Sequence, residues 1–79
     1  MDEIRVLLVD DHVERRAELR RLIETQKDLR LVAEAGGAQE AVRLAIEEAL
    51  MVVVMDLSLP DGDGITATAE IVQQRPELR

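Results

Sequence analysis

An α/β fold with a parallel sheet is predicted by three features of the chain. Three short and nearly unbroken apolar runs, Ile4 to Val9, Leu29 to Ala35 and Leu50 to Met55, have the length of strands covered on both faces. Between and after them stand segments whose apolar residues recur with a helical period. The connections are short, so the order β-α-β-α-β-α implies parallel strands joined by right-handed crossovers.

The first run, IRVLLV, is apolar except for Arg5 and is closed by Asp10-Asp11. From Val13 to Thr25 the period changes. Leu19, Leu22 and Ile23 fall at i, i+3 and i+4, with Val13 and Ala17 on adjoining turns. Arg15, Arg16, Arg20 and Arg21 are expected on the solvated side of this helix. The second run, LRLVAEA, is a strand with moderate alternation, and Gly36-Gly37 marks the turn after it. Ala38, Ala41, Val42, Ala45, Ile46 and Ala49 then form the cleanest helical stripe, small enough for close approach to a sheet. The run LMVVVM ends at Asp56 and predicts a central buried strand, followed by a loop, LSLPDGDG. A third helix is expected over 65–74, with Ile65, Ala69 and Val72 inward, Ile71 near them, and Pro76 blocking its continuation.

Composition narrows the function. The 79 residues fit one domain, and a chain of this size buries only about 60% of its unfolded surface, so a lone copy is marginal. Aromatic residues and cysteine are absent, which removes disulfides, thiolate metal sites and thiol catalysis. A net charge of -7 argues against nucleic acid or an anionic membrane as partner, since both need clustered positive charge. No apolar run reaches the ~20 residues of a membrane span and the first residues do not form a signal peptide, so a soluble cytoplasmic protein is expected.

Ligands of parallel α/β sheets bind beyond the carboxyl ends of the strands. Asp10 and Asp11 follow the first strand and Asp56 follows the third. If these strands are neighbours, three carboxylates converge and raise one another's pKa unless a cation offsets them. Hard oxygen donors, with no His or Cys expected nearby, point to Mg2+, and one carboxylate kept partly free can attack a phosphoryl group. A plainer reading exists for Asp11, because Asp11-His12-Val13-Glu14 is also a capping box for the first helix. Asp56, at the end of an all-apolar strand, gains nothing from packing. His12 is expected on the exposed first turn rather than on a metal. Gly36-Gly37 lacks the context of a nucleotide-binding loop, and Asp61-Gly62-Asp63-Gly64-Ile65 fails as an EF-hand because Ile65 replaces an oxygen ligand.

Val9-Asp10-Asp11-His12 after a buried strand, and Met55-Asp56-Leu57-Ser58-Leu59-Pro60-Asp61-Gly62-Asp63-Gly64 after another, resemble the receiver domain of two-component response regulators. Leu31-Val32-Ala33-Glu34-Ala35, with Ala41 and Val42, resembles the subfamily fused to helix-turn-helix output domains. The resemblance implies a CheY-like, flavodoxin-like fold with strands in the order 2-1-3. It implies that Asp56 is the phosphoacceptor, taking phosphorus from a sensor histidine kinase or a small acyl phosphate. Asp11 matches the direct Mg2+ ligand, Asp10 its acidic neighbour, and Ser58 the donor of a backbone carbonyl to the metal. Pro60 and Gly64 match residues that shape the loop. The implied role is signalling rather than enzymatic; a phosphohydrolase of haloacid-dehalogenase type wants a second Asp where Ser58 stands.

The family has five strands, and residues 1–79 correspond to its first three βα units, ending before strand four and without an output domain. The Ser/Thr and Lys that the family places after strands four and five have no counterpart, and the only lysine is Lys27. Impaired phosphorylation is therefore expected of this chain alone. With the order 2-1-3 the third strand is an uncharged edge, which predicts a homodimer through that strand. The alternative to a phosphoacceptor is thus a homo-oligomeric assembly module with a vestigial acidic pocket.

Overall fold

The computed structural model describes residues 3–56 and 58–78; Met1, Asp2, Leu57 and Arg79 lie outside the described residues. The elements are β1 (Ile4–Val9), α1 (Val13–Glu24), β2 (Leu29–Ala35), α2 (Ala38–Glu47), β3 (Val52–Met55), β4 (Ser58–Leu59), β5 (Gly62–Asp63) and α3 (Gly64–Gln74). β1, β2 and β3 form one parallel sheet in the order 2-1-3, the flavodoxin-like arrangement expected.

β1 is central because its residues are apolar in both directions. Val6, Leu7, Leu8 and Val9 are all buried, and Leu7 and Leu8 have no exposed surface. Leu7 and Val9 join the core formed with α2, α3 and the loop after β3, through Ala35, Ala41, Ala45, Leu59, Ala67 and Ile71. Val6 and Leu8 alternate to the opposite face, which α1 covers through its contacts with β1 and β2. Alanines line the facing sides of α2 and α3, so the missing aromatic volume is replaced by close approach.

Three expectations are corrected. First, helix phase: α1 turns Arg16, Leu19, Arg20 and Ile23 toward the sheet, while Leu22 and Val13 are largely exposed. The reason is electrostatic, since Glu34 of β2 holds Arg16 at 3.3 Å and Arg20 at 3.3 Å. α3 likewise buries Gly64, Ala67 and Ile71, leaving Ile65, Ala69 and Val72, all expected inward, exposed. One residue of phase is about 100° of rotation, and the Asp63 cap that starts α3 sets it. Second, β3 is not the central buried strand expected: it lies at the edge of the sheet with none of its residues fully buried, and it is shorter than the apolar run because Leu50 is buried outside the strand and Met51 faces solvent. Third, the loop after β3 contains a small antiparallel hairpin, β4–β5, pairing Ser58 with Asp63 and Leu59 with Gly62. Among the described residues, no helix is long and apolar enough to cross a membrane.

Candidate functional site

Strand register builds the site. In the parallel pair β1–β3, Val9 stands beside Met55. The ladder continues one step further, the Asp56 backbone N–H donating to the Val9 carbonyl at 2.9 Å. On the other side the Asp10 N–H donates to the Ala35 carbonyl at 3.0 Å. Asp10 and Asp56 are therefore neighbours at the carboxyl edge of the sheet, as the two strand ends predict. Ligand atoms of Asp10, Asp11, His12 and Asp56 all lie within 4.8 Å of one another.

The carboxylates are differently held. Asp10 is 3% exposed. Its Oδ1 accepts from the His12 backbone N–H at 2.8 Å and from Arg15 Nη2 at 2.9 Å, and its Oδ2 accepts from Arg15 Nε. Arg16 Nη1 donates to the Asp10 carbonyl at 2.8 Å. Asp56 Oδ2 accepts from the same Arg15 Nη2 at 3.0 Å. Asp11 does not cap the helix: α1 starts at Val13, with His12 in the N-cap position and making no side-chain cap. Asp11 Oδ1 is instead buried and accepts no hydrogen bond, although His12 Nδ1 lies 3.1 Å away outside hydrogen-bonding geometry. His12 is 62% exposed at its side chain, as expected, yet its Nδ1 sits at the rim of the cluster and faces Arg15 Nη2 at 2.9 Å.

Mutual repulsion of the carboxylates was the expectation for their pKa values, and for Asp10 the opposite holds. The Arg15 guanidinium beside it, helped by the His12 N–H and opposed by burial, lowers its carboxyl to about 2. The offsetting cation is thus a residue of α1 that the sequence placed on a solvated face.

The Arg15 guanidinium contacts two of the three carboxylates, Asp10 and Asp56. Three carboxylates, one of them with a buried oxygen that accepts no hydrogen bond, suit a hard divalent ion such as Mg2+, although the His12 Nδ1 lies in the same cluster.

The remaining candidates shape the loop. Pro60 is exposed in the β4–β5 turn, and Gly64 is buried as the first residue of α3. The left-handed backbone falls on Gly62, with φ +151°. Asp61 accepts from the Ala38 and Gln39 N–H groups at 2.6 and 3.1 Å, capping α2 from 23 residues away in the first case. Gly37 makes room for it: a Cβ there would meet Asp61 Oδ1 at 3.0 Å. Asp63 accepts from the Thr66 N–H at 2.6 Å and caps α3. Arg75 closes the far end of α2, its Nη1 donating to the Ala45 and Glu48 carbonyls at 3.0 and 2.9 Å.

Comparison with known proteins agrees with this geometry. The profile described as the response regulator receiver domain matches residues 6–79. The chain is 44% identical over 71 residues to the transcriptional regulatory protein LiaR of Bacillus subtilis, covering 90% of this chain and 34% of LiaR. It is 40% identical over 76 residues to protein-glutamate methylesterase/protein-glutamine glutaminase 2 of Carboxydothermus hydrogenoformans, covering 96% of this chain and 22% of that protein. Among solved structures, a two-component response regulator of the LuxR family from Aurantimonas is 46% identical with a TM-score of 0.92, covering 99% of this chain and 56% of that one. The response regulator domain of Thermotoga maritima CheB is 39% identical with a TM-score of 0.90, covering 94% and 55%. The chain thus spans well under half of these curated relatives and just over half of the solved chains.

Proposed function

Because the chain belongs to the response regulator receiver domain family, we propose that it is a phosphoacceptor of two-component signalling, with Asp56 as the acceptor and residues 1–79 as the N-terminal part of a receiver. The observation that carries this reading is the cluster of Asp10, Asp11 and Asp56 within 4.8 Å, with Asp11 Oδ1 buried and accepting no hydrogen bond. Asp10, Asp11, Asp56 and the Ser58 backbone carbonyl would hold Mg2+, with Pro60 and Gly64 shaping the loop that presents Ser58. When bound, the ion neutralises charge between the carboxylates and incoming phosphoryl oxygens.

In the transfer, a carboxylate oxygen of Asp56 attacks phosphorus. The bond from phosphorus to the donor breaks, either P–N of a kinase phosphohistidine or P–O of a small acyl phosphate, and its electron pair leaves with the donor. An aspartyl phosphate remains. Lys27 follows α1 near the opposite edge of the sheet, where Ile4 N–H bonds the Asp28 carbonyl, so no lysine of these 79 residues reaches the pocket.

Intact mass after incubation with Mg2+ and acetyl phosphate tests the reading. One phosphoryl adduct on the parent and none on Asp56→Asn is the expected result; an adduct that survives Asp56→Asn would sink it. A second reading, self-association through the outer edge of β3, is favoured by one observation. Among the described residues β3 has β1 as its one strand neighbour, and Val54 is 39% exposed. Light scattering at micromolar concentration should then give a dimer mass, and a monomer mass removes this reading.

A further inference from the structure

The acidic pocket already contains a cation. Arg15 Nη2 donates both to Asp10 Oδ1 at 2.9 Å and to Asp56 Oδ2 at 3.0 Å, while Nε holds Asp10 Oδ2. The guanidinium therefore spans the seam between β1 and β3 and occupies three carboxylate oxygens. Asp11 Oδ1, beside them, accepts nothing. The Arg15 side chain is 49% exposed, so its head can leave toward water without disturbing packed residues. Asp10 would keep its orientation after such a departure, because the His12 N–H at 2.8 Å and the adjoining ladder bond still hold it.

We propose that Arg15 is the resident counter-ion of this pocket and tunes its metal affinity by competition, a divalent cation reaching Asp10 and Asp56 only as the guanidinium leaves them. The inference rests on the reading of the pocket as a Mg2+ site and adds its control element. Two cations cannot share the same oxygens at hydrogen-bonding and coordination distance without repulsion, so occupancy by one excludes the other. Arg15 thus spares the metal-free pocket the repulsion of its carboxylates, and the same contacts weaken metal binding. Arg16 does not substitute for it, since its guanidinium is engaged by the Asp10 carbonyl and Glu34.

The test is Mg2+ binding by titration calorimetry on the 79-residue chain, with Arg15→Leu, Arg15→Lys and Arg21→Gln. Arg21 is exposed on the last turn of α1, so its variant removes the same charge away from the pocket. Arg15→Leu should tighten Mg2+ binding about tenfold, the effect of removing competing charge-assisted bonds of ordinary strength. Arg15→Lys, which keeps the charge but loses the planar fork that holds three carboxylate oxygens, should tighten it less, and Arg21→Gln should change it little. In 15N-labelled parent protein the Arg15 Nε–H resonance should shift as Mg2+ is added, a readout independent of phosphorylation and of how well the leucine variant folds. Binding by Arg15→Leu that is equal or weaker, an equal gain in Arg21→Gln, or an Arg15 resonance that stays still while Mg2+ binds would each overturn the inference and leave the metal site standing. Absence of Mg2+ binding in the parent and every variant would overturn the metal site together with the inference.

Discussion

Arg15 Nη2 and Asp56 Oδ2 are 3.0 Å apart, joining the first turn of α1 to the end of β3 across the central strand. The contact brings together residues 41 positions apart in the chain. It also touches the oxygen-bearing group on which the proposed chemistry depends, so substitutions here act on stability and on reactivity at once.

Acid sensitivity follows from the same guanidinium. With its carboxyl lowered from 3.8 to about 2, Asp10 binds its proton more weakly in the folded chain than in the unfolded one. Its contribution to stability is complete above about pH 4 and is lost as pH falls toward 2. Circular dichroism melts between pH 2 and 5 should show the parent losing stability over that window. Asp10→Asn should flatten the dependence, and an unchanged slope in that variant would contradict the assignment.

The phase of α3 is testable by truncating one residue on each side. Ile71 is 3% exposed and Ile65 is 67% exposed. Urea denaturation should find Ile71→Ala destabilised by about 2–5 kcal/mol, against about 0.5 kcal/mol or less for Ile65→Ala. Comparable losses would mean that the helix is rotated from the orientation described.

Gly37 and Asp61 should behave as a pair. Asp61→Ala removes both acceptors from the α2 N-terminus and should cost about 0.5–2 kcal/mol. Gly37→Ala brings a Cβ against the same carboxylate at 3.0 Å, so it should be destabilising alone and milder when Asp61 is already alanine. A double-mutant cycle in urea measures this coupling, and strict additivity would refute it.

Gly62→Ala places a side chain at φ +151° and should destabilise the β4–β5 turn by about 1 kcal/mol. Denaturation midpoints of that variant and of Gly36→Ala, whose Cβ would meet the Arg16 side chain at 3.2 Å, separate backbone strain from simple crowding.

Most of the frame was legible in the sequence because it depends on long, unambiguous patterns. The run from Val6 to Val9 could only be a fully covered strand, and the carboxylates at the strand ends came together where parallel topology requires. Of the expected α2 stripe, Ala38, Ala41 and Ala45 are buried and Val42 packs against the core, whereas Ile46 is exposed and Ala49 falls beyond the helix, which ends at Glu47. Failure came where polar contacts across the fold outweigh apolar periodicity. Leu22 looks like a core residue until Glu34 is seen to turn Arg16 and Arg20 inward. Ile65 looks inward until Asp63 is seen to start the helix one residue earlier. Arg15 escaped notice for the same reason: nothing local distinguishes it from Arg16, Arg20 or Arg21, and only the folded strand ends supply its partners.

The two side chains that close α2 carry a consequence for how the chain is made. Asp61 caps the helix from 23 residues beyond Ala38, and Arg75 meets the Ala45 carbonyl from 30 residues beyond it. A ten-residue helix is too short to persist in water unaided. During synthesis from the N-terminus, α2 therefore emerges long before either of its end-partners exists. It acquires its first cap when Asp61 appears and its second only with Arg75, so a helix that lies mid-chain is closed at both ends by residues made after it.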